Sequence, residues 1–207
     1  VDPNYVQDYR LNQLEPNIAA IEAGTNKPVL SLAWPCGCTD PSRWQAASSY
    51  YQGARGYYDS IANLTWLEDV NTPTPANFWN LNTAASYRQD LVDQAYAQGK
   101  WSVTTSHGSC AGIDYLGAQN ANGHLWVAPV GEILKYIRER DASQFNNYSR
   151  AGRTISFDAV HNLLTFTLTS ITTPTPYSFL PVIYNDPVTL KVHILDTDSV
   201  LNVMVDG

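Results

Sequence analysis

The apolar pattern of this chain changes period near residue 150. Up to about residue 140, helix-spaced and strand-like segments alternate. Beyond 150, short β-branched runs are punctuated by Asn162, Pro174, Pro176, Pro181, Asn185 and Pro187. Alternating strand and helix signals call for parallel strands joined by crossover helices, whereas short punctuated strands call for antiparallel pairing. The reading is therefore α/β, with residues 1–150 as a βα unit and 151–207 as a β-rich segment. The second part is too small to be a comfortable independent sandwich, and is expected to pack on the first.

Within the first part, Leu11, Leu14, Ile18 and Ile21 fall at helical spacing, and Gly24 is a plausible stop. Pro16 predicts a helix start near Glu15, or a kink there. The apolar run 29–34 ends at Pro35 and predicts a buried strand. Residues 42–51 predict a short helix capped by Ser42 or Asp40, and 53–58 a short strand. Residues 70–82 carry Pro73, Pro75 and several Asn, so they predict a loop. Thr83 can cap a helix that buries Tyr87, Leu91, Val92 and Ala95 and stops at Gly99. Residues 101–105 and 125–128 read as strands. Residues 132–140 read as a helix burying Ile133, Leu134 and Ile137, with Glu132 and Lys135 one turn apart. In the second part, 154–157, 163–168, 188–195 and 200–205 read as strands.

Charge excludes one large class of partner. Nineteen acidic against twelve basic residues give a net charge of −7, and no basic stripe for nucleic acid is visible. No run of about 18 apolar residues exists, so no membrane-spanning helix is expected. Charged residues are 15% of the chain, against roughly 25% in ordinary proteins. Aromatics are 12%, with thirteen Tyr and six Trp. A chain this aromatic and this poor in lysine suits a secreted, carbohydrate-facing protein. The acceptors Asn63-Leu64-Thr65 and Asn147-Tyr148-Ser149 favour the secretory pathway as well. The Val1-Asp2-Pro3 start reads as an end left by processing. Cys36, Cys38 and Cys110 are an odd number of thiols, so at least one lacks a partner within the chain.

Few residues carry chemistry. His107, His124, His161 and His193 make no HxxxH or HxH pair, and no CxxC exists, so no local zinc motif is encoded. His107 directly follows a strand signal, where parallel βα folds place active-site residues. An imidazole there can act as general acid or base; a loop histidine bonded to the backbone is the plainer alternative. Trp34-Pro35-Cys36-Gly37 also follows a strand. A Pro-x-Gly turn can aim a backbone N–H at an oxyanion, or it can be a disulfide-stapled turn. Cys36 and Cys38 are too close to pair comfortably, and one of them could reach Cys110. Asp69 follows Trp66 and Glu68, so a base-orienting role is open, as is that of a solvated loop acid. Trp34 and Trp66 are candidate sugar-stacking faces, though most buried Trp is core.

Several segments together resemble the polysaccharide deacetylases, the NodB-homology carbohydrate esterases. Leu30-Ser31-Leu32-Ala33-Trp34-Pro35-Cys36-Gly37 is similar to the family's strand and Pro-x-Gly turn. Gly53-Ala54-Arg55-Gly56-Tyr57 is similar to the strand that follows. Leu91-Val92-Asp93-Gln94-Ala95, Gly99-Lys100-Trp101 and Thr105-Ser106-His107-Gly108 are similar to a later helix, strand and motif histidine. Leu125 to Glu132 and Tyr136 to Asp141 are similar to the last strand and helix. The resemblance spans roughly residues 10–205. It implies the second half of a distorted (β/α) barrel followed by a small antiparallel β segment. It also implies hydrolysis of acetyl groups from N-acetylated sugars of the chitin type. In that mechanism His107 is the acid, the Cys36 N–H stabilises the oxyanion, and zinc held by one Asp and two His activates water.

The Asp-Asp and His-x-x-x-His metal motifs are absent from this chain, and Ala33 stands where the turn's leading Arg belongs. No metal ligand is therefore assigned within the chain. Zinc is expected only if a separate N-terminal chain of the same precursor supplies it. A cleaved partner chain, a homo-oligomer that completes the barrel, or an inactive glycan-binding lectin on the same scaffold are the three readings. An unpaired cysteine would suit a tether to a partner, since half a barrel exposes strand edges.

Overall fold

The computed structural model describes residues 2–37, 40–58, 66–106, 108–151, 154–161 and 177–185. The first helical signal becomes a single long rod. Helix α1, Pro3–Tyr9, is capped by Asp2, whose carboxylate accepts the Asn4 N–H at 2.9 Å. It passes through a π-helical turn, Arg10–Leu14, directly into α2, Glu15–Thr25. Proline inside an α-helix has no N–H to give and collides with the carbonyl four residues back. The wider turn relieves this: the Glu15 N–H bonds the carbonyl of Arg10, five residues back. The chain is thus already helical well before Glu15. The stop lies at Asn26, in the left-handed conformation at φ 52°, two residues past Gly24. Leu14 and Ile18 are buried as expected, but Ile21 faces water and Glu22 takes the inward position.

Strand β1, Ser31–Ala33, pairs in parallel with β2, Gly53–Arg55, with Leu32 opposite Ala54. Between them lies α3, Pro41–Ala47. Asp40 is its cap, accepting the N–H groups of Ser42 and Arg43. The ladder continues beyond β2. Leu81 bridges Arg55 in parallel, and Ala54 exchanges bonds with Phe78 and Leu81. Ala84 in turn bridges Thr104 in parallel, donating to Val103 and accepting from Thr105. Four chain segments therefore lie side by side in sequence order. The predicted 70–82 loop thus contributes its end to the ladder. Thr83 is buried there, its hydroxyl on the Leu81 carbonyl, and does not cap a helix. Its N–H is committed to the Leu67 carbonyl at 3.1 Å, and α4 begins six residues later, at Gln89–Gln98. That helix buries Leu91, Val92 and Ala95 and ends at Gly99, φ 62°, as the sequence suggests.

Helix α5, Ile113–Ala121, occupies a stretch in which no element is predicted, and none of its residues is buried. It draws residues 125–128 out of any ladder. The Leu125 N–H goes to the Gln119 carbonyl and the Val127 N–H to Asn120 Oδ1. The strand expected there is absent because those amides are spent on the end of α5. Helix α6, Val130–Ala142, lies against β1 and β2. A Cβ on Gly131 would stand 2.5 Å from Leu30 Cβ, and one on Gly53 2.9 Å from Leu134. Leu134 and Ile137 are buried; the Arg138 guanidinium donates to the Gln52 carbonyl at 2.8 Å.

Strand β3, Ser143–Ala151, follows α6 without a linker and pairs antiparallel with β4, Thr154–His161. The β-rich part therefore opens at 143, before the boundary expected at 150. The hairpin is irregular between Asn146 and Ser149, with Asn147 at φ 54°, and most of β3 is exposed. Packing on the first part is instead made by 177–185. Phe179 and Val182 are buried, the Leu180 N–H reaches Glu22 Oε2 at 2.7 Å, and the Tyr184 hydroxyl meets Gln52 Oε1 at 3.0 Å. The strands expected at 163–168, 188–195 and 200–205 lie outside the described residues. The main core joins α2, β1, α3 and β2 through Ile18, Trp34, Ala47, Tyr50 and Ala54.

Candidate functional site

Where β1 and β2 end, their side chains wall a pocket of about 500 Å³. Parallel strands present their C-terminal ends together, which is why ligands gather at that edge of βα folds. Trp34, one residue past β1, forms part of the lining. It is 2% exposed and its indole N–H donates to the Trp79 carbonyl at 2.6 Å, so it offers ring surface alone. The chain then turns sharply. Cys36 and Gly37 both take positive φ, 56° and 68°. A side chain on Gly37 would collide with the Tyr57 ring, so glycine is required there on two counts. The Gly37 carbonyl accepts the Tyr57 N–H at 3.1 Å, which ties the β1 turn to the β2 turn.

Arg55 closes β2. Its guanidinium carbon stands 4.8 Å from the centre of the Tyr57 ring. Arg55 Nη1 and the Tyr57 hydroxyl are both shielded from water and meet no hydrogen-bond partner among the described residues. Trp66 is 53% exposed and lies 4.9 Å from Tyr58, centre to centre, and 6.2 Å from Tyr57. A bridge between Tyr58 and Trp66 and a bond from the Leu67 N–H to the Tyr57 carbonyl hold it there. Ala85 completes the wall, and its neighbour Ala84 accepts the Thr105 N–H at 3.0 Å. The result is an aromatic recess with a cation in its wall and few other polar groups, a form suited to a small polar ligand with an apolar face.

The structure brings three of the sequence candidates together: Trp34, Cys36 and Trp66 all line this pocket. Asp69 does not join them. It is exposed, and its carboxylate accepts the adjacent Val70 N–H at 2.7 Å. His107, Cys38 and Asn63 lie outside the described residues. Cys36 and Cys110 are exposed free thiols and are not joined to each other. Asn147 is exposed on the hairpin, where its amide donates to Asp158 Oδ2 at 2.6 Å. Arg55, Tyr57 and Tyr58 were assigned no role in the sequence. The signal was present: they end a strand-like run, the position at which a βα fold exposes side chains to ligand.

A second hollow, of about 470 Å³, lies between α4, α6 and residues 124–128. Trp126 stands edge-on to Tyr136 there, 5.3 Å away, and is 53% exposed. Residues 101–104, the last segment of the ladder, line this hollow as well. Among the described residues no three His, Cys, Asp or Glu side chains converge as metal ligands would. His124 is bonded to Gln119 Oε1 and leans on Tyr96. The described residues thus offer no donor set for the zinc that the resemblance implies. No protein-family model, curated protein or solved structure matches this chain.

Proposed function

We propose that this chain is a carbohydrate-active protein that holds a glycan in the strand-end pocket, as a binding module of deacetylase type. The observation that carries the reading is the half-exposed Trp66 ring set against Tyr58 at the mouth of that pocket. The C–H face of a sugar ring lies well on an indole, while its hydroxyls stay in water. The test is a titration of intrinsic Trp fluorescence with chitin and xylan oligomers, for the native chain and for Trp66→Ala. Binding should weaken at least about tenfold in the variant, the loss of about 1.4 kcal/mol of contact. Failure of every glycan on a broad array, or equal binding by the variant, would sink the reading.

A second reading adds turnover: the bound glycan loses its acetyl groups, with metal ligands furnished by a separate N-terminal chain or a second copy. One observation favours it. The segment that accompanies Ala84 reaches Thr105 beside the pocket, and His107 follows two residues later. Intact mass before and after reduction should then reveal a partner, zinc should copurify, and His107→Ala should abolish acetate release while leaving sugar affinity intact. Native material with neither zinc nor acetate release would leave glycan binding alone. Passage through the secretory pathway belongs to the same proposal; a mass loss on treatment with an N-glycosidase tests it at Asn63 and Asn147.

A further inference from the structure

We propose that the strand-end pocket selects an acidic sugar, with the Arg55 guanidinium receiving its carboxylate or sulfate. The inference deepens the glycan reading and rests on it. Arg10 donates to the carbonyls of Gln45 and Ala46, and Arg138 to that of Gln52. Arg43, Arg88 and Arg140 each hold a carboxylate. Arg55 alone among these arginines donates to no oxygen of the described residues, and its Nη1 is cut off from water. An unpartnered buried donor is destabilising, and more so when it is charged. A ligand oxyanion would remove that penalty.

The surroundings suit such a ligand. The Tyr57 ring, 4.8 Å from the guanidinium carbon, steadies the cation. A planar guanidinium offers paired N–H groups that match an oxyanion. The Tyr57 hydroxyl, also buried and unpartnered, is a second donor lining the same pocket. Trp66 supplies the platform for the ring that carries the acid group. With a net charge of −7, the chain as a whole draws no anions, so any preference must come from these local donors.

The experiment is calorimetric titration of the native chain with a galacturonic acid trimer, its methyl ester and a sulfated galactose oligomer. The free acid is expected to bind about 10- to 100-fold more tightly than the ester, the range of a charge-assisted bond. The sulfated oligomer shows which oxyanion is preferred. Arg55→Met should erase the difference between acid and ester. Tyr57→Phe, which keeps the ring, should narrow it, and it carries the test if Arg55→Met does not fold. Equal affinity for acid and ester would overturn the inference and leave glycan binding standing. Binding of neither would overturn the inference as well, while the glycan reading is decided separately by the array and the chitin and xylan titrations. A changed oligomeric mass in Arg55→Met with acid preference intact would assign the guanidinium to a chain interface and also overturn it.

Discussion

Glu22 is the residue on which the joining of the N-terminal helix to the C-terminal segment depends, and its replacement is the sharpest test of the fold. Its side chain is buried, 5% exposed, on the inner face of α2. Oε1 accepts the Val29 N–H at 3.0 Å and Oε2 the Leu180 N–H at 2.7 Å. One carboxylate thus holds the approach to β1 and a segment 158 residues further along the chain. In Glu22→Ala both amides lose their acceptor. Charge-assisted bonds are worth about 1.5–3 kcal/mol each, and the variant regains part of this because no carboxylate needs to be desolvated. A net loss of about 2–4 kcal/mol follows, a large share of a typical stability of about 5–15 kcal/mol. With a denaturant slope near 2 kcal/mol per molar urea, the unfolding midpoint should fall by about 1–2 M. Glu22→Gln keeps one acceptor oxygen but sets an NH₂ against the other backbone N–H, so it should destabilise too. Hydrogen exchange localises the effect: the amides of Val29 and Leu180 should lose protection ahead of α6. A midpoint shift worth less than about 1 kcal/mol, with Leu180 still protected, would refute the assignment.

Three further outcomes follow from the same packing. Gly131→Ala puts a methyl 2.5 Å from Leu30 Cβ, so α6 must move off β1; the strain should cost about 1–3 kcal/mol, read as a lower melting temperature. Asp40→Ala removes the acceptor for two N–H groups of α3 and should cost about 1 kcal/mol in the same melt, with the pocket's ligand affinity unchanged. Burial raises the pKa of Tyr50 and Tyr51 well above the ordinary value near 10, and a hydrogen bond to Glu15 adds to it for Tyr50. The unfolded phenols therefore ionise first, so this stability is complete below pH 10 and falls as pH rises beyond it. Urea midpoints measured from pH 8 to 11.5 should decline above 10, with a shallower decline in Tyr51→Phe; a flat profile would contradict the burial.

Local signals were legible where one residue decides one conformation. Asp40 ahead of Pro41 marks the start of α3, and Gly99 the end of α4, because caps act within a single turn. Strands β1 and β2 fall inside the runs that the sequence marks at 29–34 and 53–58, each shorter than expected, and α6 shows in its period. The misses share another cause. Pro16 predicts a helix start or a kink; the structure runs the helix through it by way of a π turn at Arg10–Leu14. Thr83 has the chemistry of a cap, but its hydroxyl goes to the Leu81 carbonyl and its N–H to that of Leu67. The 125–128 run has strand composition but lost its amides to α5. In each case a hydrogen bond outside the expected element took the group: Glu15 to Arg10, Thr83 to Leu67, Val127 to Asn120.

The candidate site divides along the same line. Trp34, Cys36 and Trp66 could be chosen from the sequence because a strand, a sharp turn and an aromatic each leave a local mark. Asp69 could be chosen the same way, and its carboxylate serves only the next residue's N–H. The amino-acid order by itself determined the mixture of helix and strand, the net negative charge and the turn at Cys36 and Gly37. Only the tertiary structure decided that Arg55, Tyr57 and Trp66 share one pocket, and that Arg55 Nη1 there meets no acceptor among the described residues. Pattern and propensity act over a few neighbouring residues. Whether a buried donor finds an acceptor depends on which segments meet after folding.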